Sequence, residues 1–590
     1  MSTTTPFDSV MMKYTHLLST NDPPSATEEA EIREEIMMAT IQQDTTVPEI
    51  QNALATYRSI LSPVRRLSLE VIGKFLDPGA RGDDGLVVNG SVASFCLVSK
   101  AWQKAAITKH SLWRDARINR DKPLFNEVVA WLGRSGTFSK TLRIEFLDRQ
   151  QPMLCKKHSQ GYKPADNNPD ADEYGDDIHP GSEECIVAKT QLAKLLLEGP
   201  QVDMLAVTVS STWCVRELFR SVRARAISKG LSWPGIPSLA LRIVAKGGHW
   251  AETQDPDESM FKYLPHNSLS LLSLDLIIGG ALRILPQTFG FQFNIPSSTL
   301  NTLTSLKVRT DLDGPQVARL LPHCGQLEHL EIKYASRNLR AQRWTGDVAS
   351  LNLPARIDLP RLHTLQVDGI PPSTVRSILH FIRTPALVNL SFQIKAMHRF
   401  VDLRARSAGD HAGHFPERFL QSLGLLPQDQ ELEAEMTPNL HSLTMGDGKG
   451  HVYRLFLAGT ALEAITQHFS SLKCLVLYGV KCINNEDPFQ TLCHHMEQHQ
   501  TQLLPNLEYI EITFSDDSFP LESLFQFVES RHHWARGPVG HNQPRDSLQM
   551  VALRISENSV NLANLNTYNT SPTIDRIRNL GISVERLFEL

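Results

Sequence analysis

The sequence has no long apolar run. No stretch approaches the roughly 18 consecutive apolar residues that a membrane-spanning helix requires. The first residues have no basic region followed by an apolar core, so a secretory leader is not expected. The eight cysteines of the 590-residue chain are scattered, and we expect reduced thiols in a cytoplasmic or nuclear protein.

A strong excess of one charge is also missing. Lys and Arg number 59 and Asp and Glu 64, which gives a formal net charge of −5. This balance argues against a dedicated nucleic-acid or membrane-surface binder, which would concentrate basic residues on one face. We interpret the basic run at residues 215–230 as a solvated helix face, with a phosphate or ligand site as the alternative.

Recognisable catalytic motifs are absent from the sequence. The best glycine-rich loop, residues 446–450, departs from the phosphate-loop pattern at Leu443 and Gly450. His495 and His499 lie one helical turn apart and could share a zinc ion, but no third ligand is identifiable nearby. We therefore predict no catalytic residue, metal or cofactor, and keep a metal-dependent enzyme using these histidines as a remote alternative.

The N-terminal region is polar and then becomes helical. Residues 1–24 are predicted to be disordered. Ser25 and Glu28 have the spacing of a capping box and predict the start of a helical lead-in over residues 25–61, interrupted before Pro48. We interpret this lead-in as a hairpin rather than a dimerising coiled coil, because it has fewer than three uninterrupted heptads.

A short segment between residues 62 and 118 carries the most informative pattern. Apolar residues recur at helical spacing over residues 65–76 and again over residues 94–114, where a second helix ends in Leu112-Trp113. A core this small usually completes itself against a partner.

The segment resembles an F-box, of the kind found in fungal F-box proteins with C-terminal repeats. The family pattern is Leu-Pro-x-Glu with two hydrophobic residues, then Leu-Val with a following Trp, then Leu-Trp. Two departures are visible: Ser68 stands where the family favours proline, and residues 77–93 lengthen the loop between helices. The resemblance implies docking on a Skp-family adaptor through Leu67, Leu69, Glu70, Ile72, Phe75, Leu97, Val98, Trp102, Leu112 and Trp113.

Residues 119–186 are predicted to connect this segment to a larger C-terminal body. One helix and one strand are expected before residue 150, followed by a polar, acidic loop at residues 156–184. At the other end of the chain, Ser571-Pro572 predicts a helix start and Gly581 its stop. A final strand or cap is expected at residues 582–588.

An apolar repeat occupies residues 187–590. Each unit reads apolar-x-x-apolar-x-apolar and predicts one strand, with a helical stretch between most strands. One strand and one helix cannot bury their own apolar face, so neighbouring units must stack. The units, of which residues 237–245 form a looser one, are Val202/Leu205/Val207, 237–245, Leu271/Leu274/Leu276, Leu303/Leu306/Val308, Leu327/Leu330/Ile332, Leu362/Leu365/Val367, Leu387/Leu390/Phe392, Leu440/Leu443/Met445, Leu472/Leu475/Leu477, Leu507/Ile510/Ile512 and Leu548/Val551/Leu553.

These units resemble the divergent leucine-rich repeats that follow an F-box in related proteins. Their spacing is irregular, and a long gap marks an insertion near residues 395–438. The alternative is a set of unrelated α/β units with similar strands. The side chains expected on the target-binding face mix both charge signs and indicate no single ligand class. They include Lys307, Glu331, Lys333, Gln366, Lys473 and Glu511.

The resemblances together imply an α/β chain in which a small all-helical F-box precedes an irregular leucine-rich-repeat-like solenoid. The expected function is that of a substrate-recognition subunit of a Skp–cullin–F-box ubiquitin ligase, whose repeats bind an unidentified protein target. Such a subunit performs no bond chemistry and acts by proximity. Ser68 and the long loop leave open a non-ligase interaction scaffold that retains the F-box fold. Neither nucleic acid nor a membrane is an expected partner.

Overall fold

The structure is a computed structural model, and it describes a little over half of the chain. The described residues are 12–20, 23–41, 48–79, 89–118, 125–145, 190–233, 235–246, 259–264, 268–279, 294–310, 317–334, 356–370, 378, 381–394, 439–446, 455–457, 462–463, 465–466, 469–482, 487–499, 502–514, 519–536, 546–555 and 572–588. The predicted acidic loop at residues 156–184 and the insertion near residues 395–438 lie outside them.

The chain divides into two compact units. The first contains residues 1–146 and 190–206, and the second contains residues 147–189 and 207–590. The described α-helices are α1 Thr15–Thr20, α2 Ala26–Ile41, α3 Pro48–Ile60, α4 Leu69–Gly79, α5 Asn89–Val98, α6 Lys100–Thr108, α7 Phe125–Gly133, α8 Thr190–Glu198, α9 Thr212–Lys229, α10 Ser297–Leu300, α11 Pro488–His499, α12 Leu521–Arg536 and α13 Pro572–Asn579. The described strands are β1 Asp115–Ile118, β2 Thr141–Glu145, β3 Met204–Val209, β4 Ser238–Lys246, β5 Leu271–Gly279, β6 Ser305–Thr310, β7 His329–Tyr334, β8 Ile357–Asp358, β9 Thr364–Ile370, β10 Ile382–Arg383, β11 Asn389–Ile394, β12 Ser442–Gly446, β13 Leu455–Leu457, β14 Cys474–Cys482, β15 Tyr509–Phe514, β16 Met550–Ile555 and β17 Ser583–Phe588.

In the first unit, α1, α2 and α3 pack around a small core. The capping box predicted at Ser25 is present: the Glu28 amide donates to Ser25 Oγ, and the Ser25 amide donates to Glu28 Oε2. The prediction of disorder for residues 1–24 is wrong for residues 12–20. Tyr14 and Leu17 are almost completely buried against the hairpin, so an otherwise polar segment is held as a helix.

A carboxylate ties these three helices together. Lys13 Nζ donates to Glu35 Oε1 at 2.6 Å, and the hydroxyls of Tyr57 and Tyr14 also donate to the Glu35 carboxylate. Arg65, which follows α3, donates to the carbonyl of Leu17 at 2.8 Å. The lead-in is therefore fastened both within itself and to the start of the next segment.

Beyond this lead-in, α4, α5 and α6 precede β1, α7 and β2. The helix and strand predicted before residue 150 are confirmed as α7 and β2, and β1 pairs with β2 in parallel. The expected loop at residues 77–93 is shorter than predicted, because residues 77–79 still belong to α4 and residues 89–93 already belong to α5. The strand β1 lies within the range 62–118 that was predicted to be all helical.

The second unit is α/β and contains a long parallel sheet, which is compatible with the predicted solenoid. Its strands lie in the order β4-β5-β6-β7-β9-β11-β12-β14-β15-β16-β17, with β13 added beside β14 and β8 paired separately with β10. All eleven predicted repeat units fall on or directly before a strand of this chain, β3 included. The predicted final helix and strand are also confirmed, as α13 and β17.

The parallel register lines up the repeated apolar residues. Leu306, Leu330 and Leu365 are register partners on β6, β7 and β9, and each is at most 1% exposed. The unit on β5 was predicted in the wrong register. Leu306 on β6 pairs with Leu272 of β5 and not with Leu274. The repeat on β5 therefore begins at Leu269.

A backbone ladder precedes the strands. The carbonyl of Thr304 accepts from the successive amides of Glu328 and His329, and the carbonyl of Glu328 accepts from the next pair, His363 and Thr364. The same pattern continues to the start of β16. Main-chain hydrogen bonds thus connect each repeat to the next at the turn before the strand.

A buried ion pair joins α12 to the segment that precedes β16. The guanidinium of Arg531 on α12 lies 2.9 Å from Asp546 Oδ1, and both side chains are at most 1% exposed. Arg531 also donates to the carbonyls of Pro505 and Leu507. Burial lowers the pKa of Arg531, while the attraction to Asp546 opposes that effect.

Candidate functional site

The first candidate site is the surface of the helices α4, α5 and α6. These helices surround a core of small and large apolar side chains. The buried members are Ile72, Leu76, Val92, Ala105, Ala106, Leu112 and Trp113.

The residues predicted to bind an adaptor divide into two environments. Phe75, Leu97 and Val98 expose 59%, 85% and 46% of their surface. Ile72, Leu112 and Trp113 are instead core residues, at most 2% exposed. The remaining members lie between or outside these sets: Leu67, Leu69 and Trp102 are half-buried against the core, and Glu70 is exposed.

Trp113 has its polar and aromatic contacts satisfied inside the protein. Its indole Nε1 donates to the carbonyl of Ala106 at 2.7 Å. Its ring meets Trp131 edge-on at a centroid distance of 4.6 Å, and the guanidinium of Arg134 lies 4.6 Å from the ring. Trp113 therefore organises the core, and a surface role for it is not supported.

Two serines begin the helices of this site. The Val71 amide donates to Ser68 Oγ at 3.4 Å, and the Trp102 amide donates to Ser99 Oγ at 3.2 Å. A serine before a helix satisfies amides that otherwise have no intrahelical partner. Ser68 consequently performs a capping role that a proline at this position could not perform with its side chain.

The second candidate site is the sheet face opposite the buried apolar ladder. One row of register partners on this face carries charges on five neighbouring strands, β4, β5, β6, β7 and β9. Its members are Arg242, Asp275, Arg309, Lys333 and Asp368.

Ion pairs connect these charges across the strands. Arg242 Nε and Arg309 Nη1 lie 3.4 Å and 3.7 Å from Asp275 Oδ2. Lys333 Nζ lies 3.4 Å from Asp368 Oδ2. Burial raises the pKa of Asp275 and of Asp368 above the ordinary value, although the nearby cations oppose the effect.

A parallel row begins at Lys307. Its ammonium lies 3.2 Å from Glu331 Oε2, and Lys333 Nζ lies 2.5 Å from the other oxygen. Burial tends to raise the pKa of Glu331, but the hydrogen bonds and charges of Lys333 and Lys307 together outweigh it, and the pKa falls below its usual value. The predicted face residues Lys307, Glu331, Lys333 and Gln366 thus lie together.

On β15, near the C-terminal end of the sheet, the face that carries these charged rows is buried. Glu511 was predicted to face a target, but it is 5% exposed and its carboxylate accepts from the Tyr509 hydroxyl at 2.5 Å. Arg554 Nε lies 2.5 Å from its other oxygen. Lys473 lies just before β14 and pairs with Glu508.

The predicted histidine pair is on one face of α11. The rings of His495 and His499 are 4.3 Å apart, and His495 Nε2 lies 3.6 Å from Glu463 Oε1. Within the described part of the chain, no group of three or more His, Cys, Asp or Glu side chains has a geometry that could hold a metal ion. Burial raises the pKa of the neighbouring Cys493 to about 11, so this thiol stays protonated near neutral pH.

Two other sequence features have structural explanations. Gly446 ends β12 at φ +116°, and a Cβ there would come within 2.1 Å of the Tyr478 carbonyl oxygen; the rest of that glycine-rich loop lies outside the described residues. The basic run forms α9, whose Leu218, Phe219 and Val222 are buried. No described helix is both long enough and apolar enough to cross a membrane.

Comparisons with known proteins add little. No protein-family model and no curated protein matches the sequence. Among solved structures, the chain is similar to the crystal structure of a Bacteroides fragilis protein from a structural genomics consortium. The two share 11% identity over 62% of this chain and 71% of the other, with a TM-score of 0.24. A likeness at that TM-score carries no argument about function.

Proposed function

We propose that this protein is the substrate-recognition subunit of a Skp–cullin–F-box type ubiquitin ligase. Residues 62–118 would act as the F-box that docks a Skp-family adaptor, and through it a cullin. The sheet unit would act as a divergent leucine-rich-repeat solenoid that holds the target. The chain itself supplies no bond chemistry, and the ligase accelerates transfer by bringing target and ubiquitin carrier together.

The exposed apolar residues carry this proposal. Leu97, at 85% exposed, lies at a position where the F-box pattern calls for a leucine, and Phe75 and Val98 are also exposed. Burying a leucine or phenylalanine side chain is worth about 1.5–3 kcal/mol. Three such side chains on helices of one small core give a partner a substantial apolar surface to cover.

Replacing Leu97 with aspartate tests the proposed docking. We expect Leu97→Asp to reduce co-purification of a recombinant Skp-family adaptor by roughly thirtyfold or more, since about 2 kcal/mol of apolar burial is lost and a charge is desolvated. Leu97 lies outside the buried core, so the helices should remain folded. Circular dichroism and the thermal midpoint would verify this.

The chain offers a matched control in Ile227, which is 72% exposed on α9. Ile227→Asp makes a similar apolar-to-acidic change away from the proposed F-box and should leave adaptor binding unchanged. If the wild-type protein fails to retain adaptor, the ligase proposal falls. The non-ligase scaffold, which the Ser68 departure favours, then becomes the better description. Detection of the complex in the cytoplasm or nucleus would fit the proposal.

A further inference from the structure

The charged sheet face of β4–β9 has an order that the sequence does not reveal. The row Arg242, Asp275, Arg309, Lys333 and Asp368 crosses five strands in direct register. Lys307 and Glu331 add a second row beside it. The described charges of these rows are four cations and three carboxylates.

The cations and carboxylates differ in depth. The side chains of Arg242, Arg309, Lys307 and Lys333 are 41–52% exposed. The carboxylate side chains of Asp275, Glu331 and Asp368 are only 12–21% exposed. Long basic side chains therefore form the outer layer, and the carboxylates beneath them hold them in place. A partner meets positive charge first although the two signs are nearly balanced.

In the row that contains Lys307 and Glu331, the positions on three later strands are closed. Val476, Glu511 and Ala552 are register partners on β14, β15 and β16, and they are 7%, 5% and 0% exposed. The row opens again on β17, where Glu585, the register partner of Ala552, is exposed and acidic. The exposed basic side chains described above lie on β4, β6 and β7.

The spacing of the two arginines suits an extended peptide. Arg242 and Arg309 flank Asp275 and lie two strand spacings apart, which is roughly 10 Å. Three residues of a chain in the polyproline II conformation rise roughly 9 Å, and their side chains lie on one face because that helix has three residues per turn. Carboxylates three residues apart can therefore reach both guanidiniums, each through charge-assisted hydrogen bonds.

We propose that the β4–β9 face binds an acidic segment of a partner protein in the polyproline II conformation, with Asp or Glu at every third residue. The inference rests on the proposed function only in taking that partner to be the ligase target. Interleaved carboxylates disfavour a nucleic-acid backbone, whose phosphates are continuous and would approach Asp275 and Glu331.

Direct peptide binding to the full-length chain tests the proposal. The probe is a fluorescein-labelled twelve-residue peptide with Glu at every third position, followed by fluorescence anisotropy. Arg242→Glu/Arg309→Glu should weaken binding by about tenfold or more. Arg220→Glu/Arg223→Glu makes the same charge change on exposed positions of α9 and should bind as the wild type does. The milder Arg242→Gln/Arg309→Gln, with an unchanged thermal midpoint, should show the same direction of effect.

Several outcomes would overturn the proposal. Absence of peptide binding by the wild type would do so, as would equal binding of the matching lysine peptide. An equal loss of peptide binding in the α9 variant would show that only the net charge of the protein matters. Tighter binding of a labelled single-stranded oligonucleotide than of the peptide would assign the face to nucleic acid. Adaptor co-purification by Arg242→Glu/Arg309→Glu separates the two proposals. It should match the wild type, and peptide binding without adaptor binding would leave the recognition face standing while the ligase role fails.

Discussion

Single residues within one motif can have opposite roles. Trp113 and Leu97 both fit the F-box pattern, yet Trp113 is 2% exposed and Leu97 is 85% exposed. Helical periodicity assigns residues to stripes but does not say whether a stripe faces the core or a partner. The sequence nominates the residues of the candidate site, and only the packed helices separate those in the core from those on the surface.

The buried pair of Arg531 and Asp546 offers a residue-scale prediction. We expect Arg531→Ala to lower the free energy of unfolding by about 3–5 kcal/mol, because Asp546 would remain buried without its cation. Chemical denaturation followed by circular dichroism measures the change.

Arg531→Met provides the comparison, since it keeps much of the side-chain volume. If the cost comes from the orphaned carboxylate, the double variant Arg531→Met/Asp546→Asn should recover stability relative to Arg531→Met. A double variant no more stable than the single one would contradict this account.

At the scale of elements, repeated patterns were easier to predict than isolated ones. Most strands followed from spaced apolar residues, since period-two alternation places them on one face. The unit on β5 failed because Leu269, Leu272, Leu274 and Leu276 are all buried and allow more than one register. The helix α1 was missed because only Tyr14 and Leu17 mark it, and both depend on a tertiary partner.

The N-terminal helices should be sensitive to acid through Glu35. Partial burial tends to raise the pKa of Glu35, but hydrogen bonds from Lys13 and Tyr57 outweigh it, and the pKa falls below the ordinary value of 4.5. A carboxyl group with a depressed folded-state pKa contributes stability above its unfolded pKa and loses it as pH falls through the folded value. We expect residues 26–60 to lose protection below about pH 4.5, as measured by hydrogen–deuterium exchange corrected for intrinsic rates.

Glu35→Gln is the matched variant for that measurement. It keeps the shape of the side chain and removes its titration, so residues 26–60 should be less protected at pH 7 and show a smaller change on acidification. An identical acid response in both proteins would assign the effect to other carboxylates.

At the scale of the whole molecule, a core substitution in the second unit should destabilise nearby strands more than distant ones. Leu365 is 0% exposed and has Leu330 and Leu390 as register partners. Leu365→Ala should cost about 2–5 kcal/mol locally. Because neighbouring units stabilise one another, exchange should increase first in β7, β9 and β11 and later in β15 and β16. A uniform increase over the unit would indicate a fully cooperative body instead.

The amino-acid composition indicates less about a binding partner than the arrangement of the charged side chains on the sheet does. A net charge of −5 indicates no preferred partner, whereas the depth of the charged side chains on β4–β9 gives that face a sign. Charge depth depends on side-chain length and on which strands are neighbours, and neither follows from counts. The parallel order of the strands could be predicted from the repeat, but the open and closed parts of the sheet face could not.

The strand order also bears on how the protein is made. From β4 to β7 each strand pairs with the strand that precedes it in the sequence, and the same holds from β14 to β17. In these stretches each newly synthesised unit finds its template already outside the ribosome, since domains form progressively from the N-terminus during synthesis. Each of these two stretches can therefore grow in the order of translation, with the newest strand as its growing edge.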